Sequence, residues 1–173
     1  VVLTPSARLS ANYAHPSVGA VSIYTWLYEL NPSSFELTKD DRKIAIHKGK
    51  KDLNLDGKLV VLVDAHLMSD EESEIIDRRY GSGRLVSDFI SVTTAQQKPF
   101  VVVGDSYQLT RGSLQCSLTA ESALNFVNLD VVTHVLSEQV LLLQDDALSA
   151  LQAHLVSSID RNRFNKLPRL SGH

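Results

Sequence analysis

The stretch Leu59-Val60-Val61-Leu62-Val63-Asp64-Ala65-His66 decides the fold. Leu59–Val63 is an uninterrupted apolar run, β-branched in large part, as expected of a strand covered on both faces of a parallel sheet. The carboxylate that ends it, Asp64, sits where open α/β sheets gather their ligands, outside the carboxyl ends of the strands. Working outward, Val1–Thr4, Phe100–Val103 and Val131–Leu136 read as further strands, the third of these four running into Gly104–Asp105. Between them lie helical patterns. Leu85, Val86, Phe89, Ile90 and Val92 share one helix face; so do Ala147, Leu148, Leu151, Leu155 and Val156, behind the capping carboxylates Asp145 and Asp146. Ile23, Trp26, Leu27 and Leu30 have the same spacing. Strands alternating with helices predict an α/β sheet with crossover connections. Residues 33–52 break the rhythm: Phe35–Leu37 and Ile44–His47 predict a small hairpin insertion around Lys39–Arg42. Pro168 and Gly172 mark a frayed tail.

The 173 residues suit a single domain spanning 1–173. With 43% hydrophobic and 21% charged residues the chain has material for a core, which excludes a disordered polymer. Its net charge of −3 excludes a global electrostatic attraction to nucleic acid or to an acidic membrane. Local patches exist nonetheless. Lys39, Arg42, Lys43, Lys48, Lys50 and Lys51 form a basic cluster, and Asp70, Glu71, Glu72, Glu74 and Asp77 an acidic one; both suit solvated surface. One cysteine, Cys116, excludes a disulfide framework and a cysteine-rich zinc site. No signal peptide is expected, and no apolar run nears the ~20 residues of a membrane span. A cytoplasmic domain is expected, and the start at Val1-Val2-Leu3, without methionine, reads as an excised piece of a longer protein.

Asp64 and Asp105 are the candidate chemical groups. An aspartate at a buried strand's end holds a magnesium ion or a bound water, or else caps the turn that follows. A phosphate cradle of the form G-x-x-x-x-G-K-[ST] is absent: Ile44 stands where Gly49-Lys50 would need a glycine, and Asp52 where Gly57-Lys58 would. The six histidines show no metal-ligand spacing, and His134 reads as structural. No G-x-S-x-G elbow occurs, and Cys116 has no basic neighbour to activate it.

The order of short motifs resembles the first RecA-like motor domain of RecD-like superfamily-one DNA helicases. Thr4-Pro5-Ser6-Ala7-Arg8-Leu9-Ser10 resembles A-P-T-G-R-A-A, and Ser22-Ile23-Tyr24 stands in the place of T-I-H. Val63-Asp64-Ala65-His66-Leu67-Met68 is similar to V-D-E-A-S-M, the Walker B region, and Gly81-Ser82-Gly83-Arg84-Leu85 to G-S-G-x-L. Gly104-Asp105-Ser106-Tyr107-Gln108-Leu109 resembles G-D-x-x-Q-L, and Leu136-Ser137-Glu138-Gln139-Val140-Leu141 resembles L-T-E-x-V-R. The resemblance implies a three-layer, P-loop NTPase-like architecture: a mostly parallel sheet with helices on both faces. It also implies roles. Asp64 would position magnesium, Asp105 and Gln108 would face the nucleotide, and Thr4, Ser6 and Arg8 would contact single-stranded DNA. Tyr24, Trp26 and Tyr107 are candidate stacking platforms, and Lys48, Lys50 and Lys51 candidate phosphate contacts.

The departures fall on catalysis. Ala65 stands where the family has the glutamate that polarises the attacking water, assistance worth on the order of 100- to 10,000-fold. His66 next door could replace it only from the opposite side of a strand. Leu141 replaces an arginine of a kind that contributes ~1,000-fold or more. Thr110-Arg111-Gly112-Ser113 replaces the family's P-L-P-P-V-G-like stretch, and a Walker A segment would have to precede Val1. The expected function is therefore a degenerate helicase-like domain of a larger DNA-processing protein. It would lack ATP hydrolysis of its own and serve single-stranded DNA binding or protein assembly, with other proteins or domains of the same parent as partners. No cofactor is expected for the isolated chain. An internal piece of an active helicase, which would use ATP and magnesium, is the alternative. A receiver-like signalling domain over 59–170 is another, with Asp64, the phosphoacceptor Asp105, the switch hydroxyl Thr133 and a poorly matching Lys166.

Overall fold

The structure, a computed structural model, describes residues 1–71, 77–109, 130–136 and 146–161. The chain forms two compact units, Val1–Leu129 and Asp130–His173.

In the first unit β1 (Val2–Thr4) leads into α1 (Ala7–Ser10) and a 3-10 turn (Ala11–Tyr13). The chain returns through β2 (Ala20–Ser22) and α2 (Ile23–Leu27). Then come β3 (Ser34–Leu37), β4 (Lys43–His47) and β5 (Val60–Leu62). A 3-10 turn (Ala65–Leu67), β6 (Arg78–Tyr80), α3 (Leu85–Ala95) and β7 (Phe100–Val102) complete the described elements.

The apolar runs build a four-stranded sheet in the order β2-β1-β5-β7, every neighbouring pair parallel. Leu3 pairs with Val21 on one side and Leu62 on the other, so the strand opening the chain lies inside the sheet. Leu3, Val60 and Leu62 are buried together with Ile23, Leu27, Tyr28, Met68 and the inner face of α3, Leu85, Val86, Phe89 and Ile90. Phe89 anchors this core, its ring edge-on to Phe100 at 4.9 Å and tilted against Trp26 at 6.0 Å. A parallel sheet with helices in its connections is an α/β architecture.

The insertion predicted over 33–52 is there, with Phe35 opposite Ala45 and Glu36 opposite Ile44 in an antiparallel hairpin. The sequence did not announce its third strand. Arg78-Arg79-Tyr80 pairs with Ala45-Ile46-His47 in parallel, so β4 is the middle of a β3-β4-β6 sheet. Tyr80 stacks on the buried His47 ring at 4.6 Å and packs edge-on to Tyr24 at 5.0 Å. His47 Nδ1 donates to the Glu29 carbonyl at 3.1 Å.

Two expectations are corrected. Val131–Leu136 forms no strand; its side chains are exposed, Val132 at 81% and Leu136 at 91%. An apolar β-branched run supplies propensity, but a strand also needs a neighbour for its backbone groups. The helix containing Ile23, Trp26 and Leu27 stops at Tyr28, which turns extended (φ −118°, ψ 152°) and leaves Leu30 54% exposed. In the second unit the helix predicted around Ala147–Val156 is present as α4 (Asp146–Asp160). Among the described residues no helix is long and apolar enough to cross a membrane.

Candidate functional site

The strand order creates a topological switch. The chain leaves β1 to form β2 on one side, while β5 and then β7 are laid down on the other. Connections diverge at such a point, and the crevice they leave at the carboxyl ends is where open sheets bind ligands. Here it is flanked by the Thr4–Arg8 loop after β1 and by Asp64 after β5.

The loop residues expected to meet DNA are mostly spent internally. Thr4 is 0% exposed, and its hydroxyl donates to the Ser6 carbonyl at 2.8 Å, which fixes the turn out of the sheet. Ser6 is extended and its Oγ accepts from the Leu9 amide at 3.3 Å, capping α1. The buried Thr4 side chain therefore builds the loop, while the half-buried Ser6 caps the helix through its oxygen and keeps its own O–H to donate. Arg8 differs: it stands on α1 with its side chain in solvent.

Asp64 and Asp105 divide along the two roles open to them. Asp105 caps the next turn: Oδ1 accepts from the Tyr107 amide at 2.9 Å and Oδ2 from Gln108 Nε2 at 3.2 Å. Gln108, expected to face a nucleotide, is thus joined to Asp105. Asp64 makes no such cap. It adopts the left-handed conformation (φ 52°, ψ 40°), and its Oδ2 accepts from the Tyr13 hydroxyl at 3.1 Å. Burial, then the hydrogen bond and charge of Asp64, push the Tyr13 phenol above its usual pKa, so it remains a donor.

Ala65 and His66 do not continue β5. They open a 3-10 turn and both are buried, so the strand alternation expected to part them does not apply. Ala65 lies in the core with its amide donating to the Val103 carbonyl at 3.0 Å. His66 Nδ1 accepts from the Asp105 amide at 3.4 Å, tying the end of β5 to the end of β7.

The magnesium site implied at Asp64 does not fit these residues. One oxygen of its carboxylate is committed to Tyr13, and the neighbour that would supply a second acid is a core methyl group. Among the described residues no group of three or more His, Cys, Asp or Glu side chains is placed to hold a metal ion.

The Gly81-Ser82-Gly83-Arg84 segment is likewise filled by the chain's own carboxylates. The Ser82 amide donates to Asp88 Oδ2 at 3.0 Å, and the Ser87 amide and hydroxyl donate to Asp70 at 2.8 and 2.7 Å. Asp88 also receives the Tyr28 hydroxyl. The sequence does not announce this Tyr28-Asp88-Ser82 cluster, because 60 residues separate Tyr28 from Asp88. Trp26 and Tyr24 are half-buried and pack against the core, whereas Tyr107 is exposed. Of the basic cluster, Lys50 Nζ donates to the Thr25 carbonyl at 2.6 Å, and Lys43 lies 4.4 Å over the Phe35 ring. Thr133, the switch hydroxyl of the receiver-like reading, is in the strandless exposed segment. Cys116, Leu141, Lys166, Glu72, Glu74 and Thr110–Ser113 lie outside the described residues. No family model, no curated protein and no solved structure matches the chain.

Proposed function

We propose that the chain is a degenerate domain of the RecD-like helicase type, serving single-stranded DNA binding or protein assembly and hydrolysing no ATP of its own. The observation that carries this reading is the placement of Arg8 after β1 and of Ala65 after β5, the two parallel strands at the switch point. A solvent-facing cation stands on the element after β1, and a buried methyl group stands after β5 where hydrolysis would need an acid. Such a surface can neutralise backbone phosphate without turning over a nucleotide. The three-layer architecture belongs to the same proposal, as do ATP and magnesium as cofactors of an active parent only. Within the loop, DNA contact falls to Arg8, to the Ser6 O–H and to backbone groups, because the Thr4 hydroxyl is buried and already donates to the Ser6 carbonyl.

Fluorescence anisotropy of a labelled single-stranded oligonucleotide, titrated at low and at physiological salt, tests it. Saturable binding that weakens with salt and is lost in Arg8→Ala supports the DNA-binding role. A flat titration with folded protein rejects that role and leaves assembly.

A further inference from the structure

We infer that Asp64 works as a hydrogen-bond acceptor that fastens the segment after α1 to the end of β5, and not as a cation ligand. The resemblance leads to the opposite expectation, a carboxylate reserved for magnesium. Four features of the chain favour the fastening role.

The first is the bond itself, Tyr13 hydroxyl to Asp64 Oδ2 at 3.1 Å, which joins residues 51 apart across the switch point. The second is the contrast with Asp105. Both aspartates end parallel strands, yet Asp105 turns its oxygens to its own following turn and Asp64 gives its following 3-10 turn none. The third is the backbone. A non-glycine residue at φ 52° is uncommon, though aspartate and asparagine tolerate it better than most. The fourth is how little else holds the Tyr13 segment. Residues 11–14 are all exposed, and the Ala14 amide reaches the Ala11 carbonyl only at 3.5 Å. Arg8 rides on the short helix directly before this segment, so the fastening also sets where that cation stands.

The two roles separate cleanly under substitution. An asparagine at 64 keeps an amide oxygen that can accept from Tyr13 and tolerates the same backbone, but it is a poor ligand for a hard cation. Tyr13→Phe removes the donor and leaves the carboxylate untouched. Amide hydrogen exchange of residues 7–14 in the full chain reads the fastening directly. Tyr13→Phe and Asp64→Ala should exchange about 2- to 10-fold faster there than the starting protein. Asp64→Asn should stay within about twofold of it. Mn²⁺ should leave the resonances around Asp64 unbroadened.

The inference is overturned if Tyr13→Phe exchanges like the starting protein, or if Asp64→Asn is as fast as Asp64→Ala. Broadening by Mn²⁺ that disappears in Asp64→Asn overturns it as well. Because Asp64→Ala also strains the backbone, Tyr13→Phe is the decisive variant. None of these readouts involves DNA, so a failed anisotropy titration leaves the inference standing, and its own failure leaves the DNA-binding proposal standing.

Discussion

The Tyr28 hydroxyl donates to Asp88 Oδ2 at 2.7 Å, and the same oxygen accepts the Ser82 amide at 3.0 Å. Tyr28 ends α2 and Asp88 lies in α3, so one carboxylate oxygen locks two helices and the glycine loop between β6 and α3. Burial, followed by the bond to Asp88, pushes the Tyr28 phenol far above its usual pKa of about 10. A group raised in the folded state keeps its proton when the unfolded chain has released it. Its contribution is complete below about pH 10 and declines as pH rises further, with a slope of about 1.4 kcal/mol per pH unit. Urea denaturation between pH 9 and 11 should show this decline, and Tyr28→Phe should flatten it. At neutral pH Tyr28→Phe should cost about 1–2 kcal/mol, most of it from the hydrogen bond to a charged acceptor.

Gly81→Ala should be more damaging than its size suggests. The backbone there has φ +53°, and a Cβ would collide with the Asp88 carboxylate and meet Tyr28 Cε1 at 2.6 Å. A loss of about 2–3 kcal/mol, measured as a lower urea midpoint, is expected from strain plus displacement of the hydrogen bond. An unchanged midpoint would mean that the loop can shift freely.

Asp70→Ala tests the capping of α3. Its carboxylate takes both the amide and the hydroxyl of Ser87, while Arg84 at the helix's N-cap position offers no side-chain acceptor. Removing the acceptor should cost about 1 kcal/mol and speed exchange of the first-turn amides of α3. Asp70→Asn, which keeps an acceptor, should recover part of the loss.

Ala65→Glu would restore the acid that the helicase pattern places there, yet it should not restore hydrolysis. Ala65 is 0% exposed among Leu62, Met68 and Phe89 in the same core, and an unpaired carboxylate buried there should cost about 3–5 kcal/mol. A lowered thermal midpoint without released phosphate is the expected result. A stable variant that hydrolyses ATP would show instead that this core can house an acid at position 65.

The strands around Leu62 were legible because each is a continuous apolar run, although among the described residues only one face is fully covered, Val101 standing 43% exposed beside the half-buried Val61; α3 was legible because its apolar residues recur at helical spacing. Arg78-Arg79-Tyr80 was not, since two arginines carry no strand signal; its place comes from the partner edge that β4 offers. Ala20-Val21-Ser22 is too short to be read alone, and pairing with β1 defines it. Val131–Leu136 erred the other way, a strong local signal without a ladder to join. At the site, the sequence singled out Asp64 and Asp105 through their position after strands. It could not tell fastener from cap, because that depends on Tyr13 and on Gln108, one distant and one local. Thr4 and Ser6 meet a related limit: a hydroxyl in a loop motif looks free until the loop's own carbonyls and amides are placed.

The dual pairing of β4 has a kinetic consequence. Its contact with β3 closes only the short turn Thr38–Arg42, whereas its contact with β6 must close the chain from His47 to Arg78, with β5 inside the loop. Loop-closure entropy favours the first strongly, and hairpins form in about 1–10 μs while parallel pairings wait for their intervening chain. Half of the smaller sheet is thus a local product and half a late one. In pulse-labelled refolding, amides shared by β3 and β4 should gain protection before the Gly81 amide, which donates to the His47 carbonyl just beyond β6. The stacking of Tyr80 on His47 would then mark the moment at which the inserted hairpin ceases to be an independent ribbon and becomes part of the fold.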